Sequence, residues 1–223
     1  MIAACSRLRI RGGESSFLLG SLPLILLLAA LPLAAHGSVG AEIIIPAGRP
    51  VTVDGKLSLL EWSDAASKFI DVAPGWRVRV LFKHDASNLY FAFIHLTRGK
   101  DMRFPELLLD PRGQRGDSWQ QGEWWLHSSF NLCEGNGEYN LYNRNGVFAC
   151  AKTKPGWSAN HFPLAPGGVM EIQVSLAKLA LTSAHGARLG FSIDLTDTQK
   201  NWTFWPAGAQ LAHPKTWGKA ILQ

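Results

Sequence analysis

Apolar residues in this chain recur at every second position over runs of only five to eight residues, and Gly, Pro, Asn and Asp separate the runs. No stretch repeats them at i, i+3, i+4 and i+7, so amphipathic helices are not expected and a helical bundle or nucleotide-binding βαβ unit is excluded. Arg77 to Phe82 (RVRVLF) and Leu89 to Leu96 (LYFAFIHL) read as strands, and Val169 to Val174 (VMEIQV) and Arg188 to Leu195 (RLGFSIDL), like the first of these, alternate as half-buried strands do. Lys83 to Asn88 has turn composition and joins the first two as a hairpin.

Further strands are expected at Val51 to Leu57, ending in an Asp54-Gly55 turn, at Glu106 to Asp110, at Glu123 to Leu132 and at Trp217 to Leu222. Tyr139 to Tyr142 and Val147 to Ala151 flank Asn145-Gly146, a hairpin signal. Ser58 and Glu61 form a capping-box pattern for one helical turn, and Ser175 to Leu181 suits a second. About eight to ten strands with two short helical pieces predict an all-β, antiparallel β-sandwich of jelly-roll-like form.

The first residues belong to something other than the fold. Arg7, Arg9 and Arg11 precede an apolar run from Phe17 to Leu33, and small residues follow through Ala41, the order of a secretory signal peptide. The run contains Pro23 and Pro32 and is short for a membrane span of roughly 20 residues. Residues 1–41 are therefore expected to be a signal and 42–223 one domain, secreted or periplasmic. Membrane contact is expected only through the leader, if it stays uncleaved. Without Arg7, Arg9, Arg11 and Glu14 the chain keeps 19 basic and 16 acidic residues, and a charge of +3 speaks neither for nor against a polyanion.

Cys133 and Cys150 are the two cysteines beyond the leader, and an oxidising compartment predicts a disulfide between them. Closing that loop would contribute about 3 kcal/mol in the loop-entropy model. The chain lacks a Gly-x-Ser-x-Gly elbow, a His-Glu-x-x-His helix and a phosphate-cradling loop, so no enzyme is expected.

The order of the segments resembles the family 9 carbohydrate-binding modules and the DOMON-like sandwiches related to them. Asp54-Gly55-Lys56-Leu57 with Glu61-Trp62 and Ala65-Ala66 is similar to the family's opening phrase, and Asn88 to Phe93 to its "LYvaf" strand. Glu106 to Gly113, Glu171 to Leu179, Leu189 to Asp194 with Trp205-Pro206, and Pro214 to Leu222 follow in the family order. The resemblance spans residues 50 to 223. It departs at Leu96-Thr97-Arg98, where many members carry an Asp, and at the Phe130 to Cys150 segment.

The resemblance implies a non-catalytic module that grips an oligo- or polysaccharide between two tryptophans, possible support for polysaccharide breakdown, and no nucleic-acid partner. Nine tryptophans exceed what a core of this size requires, and flat rings suit the C–H faces of sugars. The clamp is expected to draw on Trp119 or Trp125 with Trp157 or Trp205, and Gln121, Glu123, His127 and Asn160 are the expected hydroxyl partners. In Glu123-Trp124-Trp125-Leu126-His127 the alternation sends only one of the two indoles into the core. Calcium is the ion the resemblance allows, with Asp85, Asp110 and Asp117 as candidate oxygen ligands and Asp194 behind them. The alternatives are a haem-binding DOMON-type electron-transfer protein, using Met102 or Met170 with a histidine, and an envelope protein-interaction sandwich.

Overall fold

Fourteen strands and one helical turn follow each other along a computed structural model that describes residues 40–128, 137–139, 156–162 and 167–223. The strands are β1 (Glu42–Ile45), β2 (Ala66–Ala73), β3 (Trp76–His84), β4 (Asn88–Ile94), β5 (Thr97–Arg98), β6 (Asp101–Met102) and β7 (Phe104–Asp110). They continue as β8 (Trp124–His127), β9 (Gly137–Tyr139), β10 (Trp157–Phe162), β11 (Val169–Ser175), β12 (Arg188–Thr196), β13 (Phe204–Trp205) and β14 (Gly218–Leu222). The helical turn α1 spans Leu59–Trp62, and Pro214–Thr216 forms a single 3-10 turn.

The strands make two sheets. The first runs β1-β14-β12-β7-β8-β9 with β13 paired to β12; the second runs β10-β11-β4-β3-β2; β5 and β6 form a separate ribbon. Every pairing is antiparallel except β1 with β14, which is parallel. The architecture is the expected β-sandwich. Among the described residues no helix is long and apolar enough to cross a membrane.

Alternation builds the core between the sheets. Val78, Val80 and Phe82 of β3, Leu107 and Leu109 of β7, and Leu189, Phe191, Ile193 and Leu195 of β12 point inward. Phe91 and Phe191 stack across the layers at 5.5 Å between ring centres. At about 25 cal/mol per Å² of apolar area removed from water, this interior is the principal stabilising term.

Both outer faces are partly covered, and that coverage breaks the simple alternation. On the second sheet the segment 49–65 lies over Leu81, Tyr90 and Ala92 and buries Val51 and Trp62 against them. Glu171 of β11 fastens this cover: its Oε1 accepts from Trp62 Nε1 at 2.8 Å, and its Oε2 from Gly55 N at 2.9 Å and Asp54 N at 3.1 Å. On the first sheet Leu108 faces outward and is buried by Trp119, Ala209 and Trp217. The run Leu107-Leu108-Leu109 is apolar throughout because both of its faces are packed.

Local expectations were met in part. The 83–88 turn closes the β3–β4 hairpin, with Asp85 Oδ1 accepting from Ser87 N and Asn88 N at 2.7 Å each. Residues 51–57 form turn and irregular chain rather than a strand. The helical turn forms, but Ser58 gives no side-chain cap and Glu61 Oε1 instead accepts from Thr52 N at 3.2 Å. Ser175 to Leu181 makes consecutive turns with Ala180 at φ 53°, not a helix. Cys133 and Cys150 and the Asn145-Gly146 hairpin lie outside the described residues.

Candidate functional site

Beside the Trp119 and Trp217 cover, the first sheet's outer face carries polar residues at mid-strand. Register places Asp194 of β12 opposite Glu106 of β7, and Glu106 opposite His127 of β8. Phe204 of β13 stands opposite Asp194, which completes a row across four strands. Trp125 lies in the next row, opposite Leu108.

Glu106 is the hub of this row. Its Oε2 accepts from Trp125 Nε1 at 2.9 Å, its Oε1 accepts from His127 Nδ1, and Asp194 shares a hydrogen bond with it. Asp194 Oδ1 in turn accepts from Thr203 N at 3.0 Å. Both carboxyls are buried, at 2% and 1% exposure. Burial pushes both above the carboxylate range, and the charge of Glu106 pushes Asp194 further, so the pair holds a proton between them. Burial holds His127 below the usual histidine range, against the pull of Asp194.

Beside the row, the loop after β12 presents Trp202, 49% exposed and edge-on to Phe204 at 6.4 Å. Asp197 braces this loop, accepting from Gln199 N and Asn201 N through Oδ1 and from Arg103 Nη1 through Oδ2 at 3.3 Å. Half-buried Trp125 and Phe204 pack against the Trp119 and Trp217 cover, half-buried His127 lies beside Glu106, and Trp202 is the exposed ring of the group. A ring and a few side-facing polar atoms are what a pyranose requires.

The expected clamp is distributed differently. Trp119 is buried edge-on against Trp217 at 5.1 Å and donates Nε1 to Leu211 O at 2.9 Å. Trp157 is buried in the interior between the sheets, and Trp205 is buried there against Phe191 at 5.9 Å. None of these three offers an open ring face, because each indole is spent on packing. Trp125 and His127 do stand together on the outer face. Gln121 is exposed and its carbonyl accepts from Arg112 Nη2; Asn160 lies on β10 opposite Glu171 in register.

Glu123 is fully buried beside Asp110. Its Oε2 accepts from Gln120 N at 2.7 Å, while Oε1 has no hydrogen-bond partner. Burial, with the charge of Asp110 adding and that of Arg112 opposing, pushes its carboxyl up to about 7.

The calcium candidates do not converge. Asp85 is committed to its hairpin turn and to Tyr90 Oη at 2.7 Å, and Asp117 lies at the surface paired with Lys215. Asp110 accepts from Arg112 N at 3.1 Å and Arg115 N at 2.7 Å, and its carboxylate neighbour Glu123 also feels the cation of Arg112. Among the described residues no group of three His, Cys, Asp or Glu side chains could hold a metal ion, so the donor set does not fit calcium. Of the methionines considered for haem, Met170 is buried in the interior and Met102 sits on the β5–β6 ribbon.

Glu106 and Asp194 were legible in part: each is a carboxylate at the centre of an otherwise apolar strand, a position that needs a partner. Trp202 stands out in the sequence for its polar, turn-rich surroundings, whereas Phe204 comes from a segment whose pairing with β12 no periodicity announces.

An all-β sandwich with a polar, aromatic outer face is the class these features define. Its fold is similar to that of a family 9 carbohydrate-binding module from Caldicellulosiruptor kristjanssonii. The structure of that module in complex with cellotriose matches with a TM-score of 0.58 at 16% identity, covering 82% of this chain and 94% of that one. The structure with glucose matches with a TM-score of 0.59 at 16% identity, covering 82% and 96%. No protein-family model matches the chain, and no curated protein matches it in sequence. The fold is thus a family 9 carbohydrate-binding-module-like β-sandwich.

Proposed function

We propose that this protein is an exported, non-catalytic carbohydrate-binding module whose saccharide lies on the outer face of the first sheet. The observation that carries the reading is Glu106, a buried carboxylate that accepts from both Trp125 and His127 and so fixes an indole and an imidazole side by side. Trp202, half exposed across the row, supplies the second ring. Fixing rings before binding lowers the ordering cost that weak sugar contacts cannot offset. The sandwich neighbours in complex with cellotriose and glucose support a saccharide ligand.

The carboxyl pair supports binding over hydrolysis. Glycosidases hold their two carboxyls about 5 to 9.5 Å apart so that a sugar carbon and water fit between them. Glu106 and Asp194 are hydrogen-bonded to each other and buried, which leaves no room for either.

Titration of intrinsic tryptophan fluorescence with glucose and cellotriose tests the reading. A saturable change is expected, with Trp202→Ala weakening affinity at least tenfold and leaving the unfolding midpoint in place. No response to either sugar at millimolar concentration, or an unaltered affinity in the variant, would overturn it.

A further inference from the structure

The cover on the outer face of the second sheet stops short of its far end. Segment 49–65 packs over Leu81, Tyr90 and Ala92 and reaches half-buried Ile94 of β4, while Arg79 of β3 and Phe69 of β2, in the same row as Ile94, are exposed. Phe69 is 50% exposed on the strand at the sheet's edge, and the Arg77 guanidinium stands over its ring at 4.8 Å. Arg79 is exposed and forms no ion pair among the described residues.

The acids nearby are few. Asp71, opposite Arg77 in register, approaches its guanidinium at 3.8 Å, and both side chains are largely exposed, so water screens the pair. The β5–β6 ribbon brings a third guanidinium to the same end: Arg98 Nη1 donates to Pro74 O in the turn between β2 and β3. Exposed Lys100 follows it, and exposed Asp101 faces Arg98 in register. The strip therefore offers Arg77 and Arg79 against Asp71, with a flat aromatic ring among them, and Arg98, its guanidinium over the Trp76 ring at 5.1 Å, flanks it at the β2–β3 turn.

We propose that this strip is a second binding surface, for a carboxylate-bearing polysaccharide such as a polyuronate. A guanidinium presents two parallel N–H donors that match a carboxylate, and Arg79 has both to give. Phe69 offers an apolar face to the C–H side of a uronate ring. A neutral glycan would leave the guanidiniums uncompensated. A single-stranded nucleic acid calls for a series of stacking rings, and the strip carries one. A bilayer calls for several apolar side chains projecting together, whereas exposed Leu59 and Leu60 belong to the 49–65 cover and Phe69 is the exposed large apolar side chain of the strip itself. The surface lies on the opposite sheet from the Trp125 and Trp202 face and does not depend on that site.

The test is binding of the full domain to polygalacturonate, to a neutral glucan of equal length, to phosphatidylglycerol vesicles and to a single-stranded oligodeoxynucleotide, at low and high salt. Polygalacturonate is expected to bind most tightly, to weaken at least tenfold as salt rises, and to weaken at least tenfold in Arg77→Glu/Arg79→Glu with neutral-sugar binding on the first sheet retained. Should the double variant fail to fold, Arg79→Gln alone is expected to weaken polygalacturonate binding severalfold. Polygalacturonate held no tighter than the neutral glucan, or unaffected by the Arg79 substitution, would refute the proposal. Tighter binding of vesicles or oligonucleotide would refute it equally, in favour of those partners.

Discussion

Glu123 makes the stability of this domain fall as pH rises, and Glu123→Gln should remove that dependence. The carboxyl is fully buried, accepts one backbone N–H through Oε2 and leaves Oε1 without a partner, so ionising it in place is costly. Folding raises it from 4.5 to about 7. A raised carboxyl is protonated more readily in the folded chain than in the unfolded one. Its contribution is therefore complete below the unfolded value and is lost as pH climbs through the folded one. At 1.36 kcal/mol per unit, this shift corresponds to about 3 kcal/mol between pH 4.5 and pH 8.

Glutamine keeps the shape and an acceptor for Gln120 N but cannot ionise. Urea unfolding followed by tryptophan fluorescence at both pH values isolates the effect, because any fixed cost of the amide cancels when the two differences are compared. Relative to the native chain, the variant should gain about 3 kcal/mol on going from pH 4.5 to pH 8, equivalent to roughly 6–12 °C in midpoint for a domain of this size. Parallel pH profiles for the two proteins would refute the reasoning.

Other substitutions probe the two outer faces. Glu171→Ala strips the acceptor from Trp62 Nε1, Asp54 N and Gly55 N, and should destabilise the domain by about 3–5 kcal/mol in urea unfolding. Asp194→Asn removes one ionisable member of the shared-proton pair, whose folded-state titration is raised by burial and by Glu106. Because that raised group also costs stability as pH rises, the variant's unfolding midpoint should vary less between pH 5 and pH 9 than that of the native chain.

Sequence disclosed the inner layers of this fold more fully than its outer ones. β3, β4, β11 and β12 announced themselves because one face of each meets the interior, and period-two alternation is the direct imprint of that contact. β2 was missed because, of its eight residues, only Ile70 is buried, so the alternation is too faint to read. β1 was missed because its Ile43-Ile44-Ile45 run follows directly on a leader-like segment, and because its parallel partner β14 lies at the other end of the chain. The tryptophans misled for a related reason. Whether an indole is open or packed depends on acceptors far away in sequence, such as Leu211 O for Trp119, and local composition carries no trace of them.

The same device appears on both sheets with opposite consequences. At the centre of β11 and of β7 an outward glutamate accepts an indole N–H, from Trp62 to Glu171 and from Trp125 to Glu106. The difference lies in what else each carboxylate holds. Glu171 takes two backbone amides of the 49–65 segment, so its face is closed by main chain that cannot leave without stranding buried donors. Glu106 takes an imidazole and a neighbouring carboxyl, both side chains of its own sheet, so that face is braced by side chains rather than by main chain. A rigid aromatic surface is what the proposed stacking of a sugar ring requires. The choice of partners around these two glutamates, more than the number of tryptophans, therefore separates the face closed by main chain from the face braced by side chains.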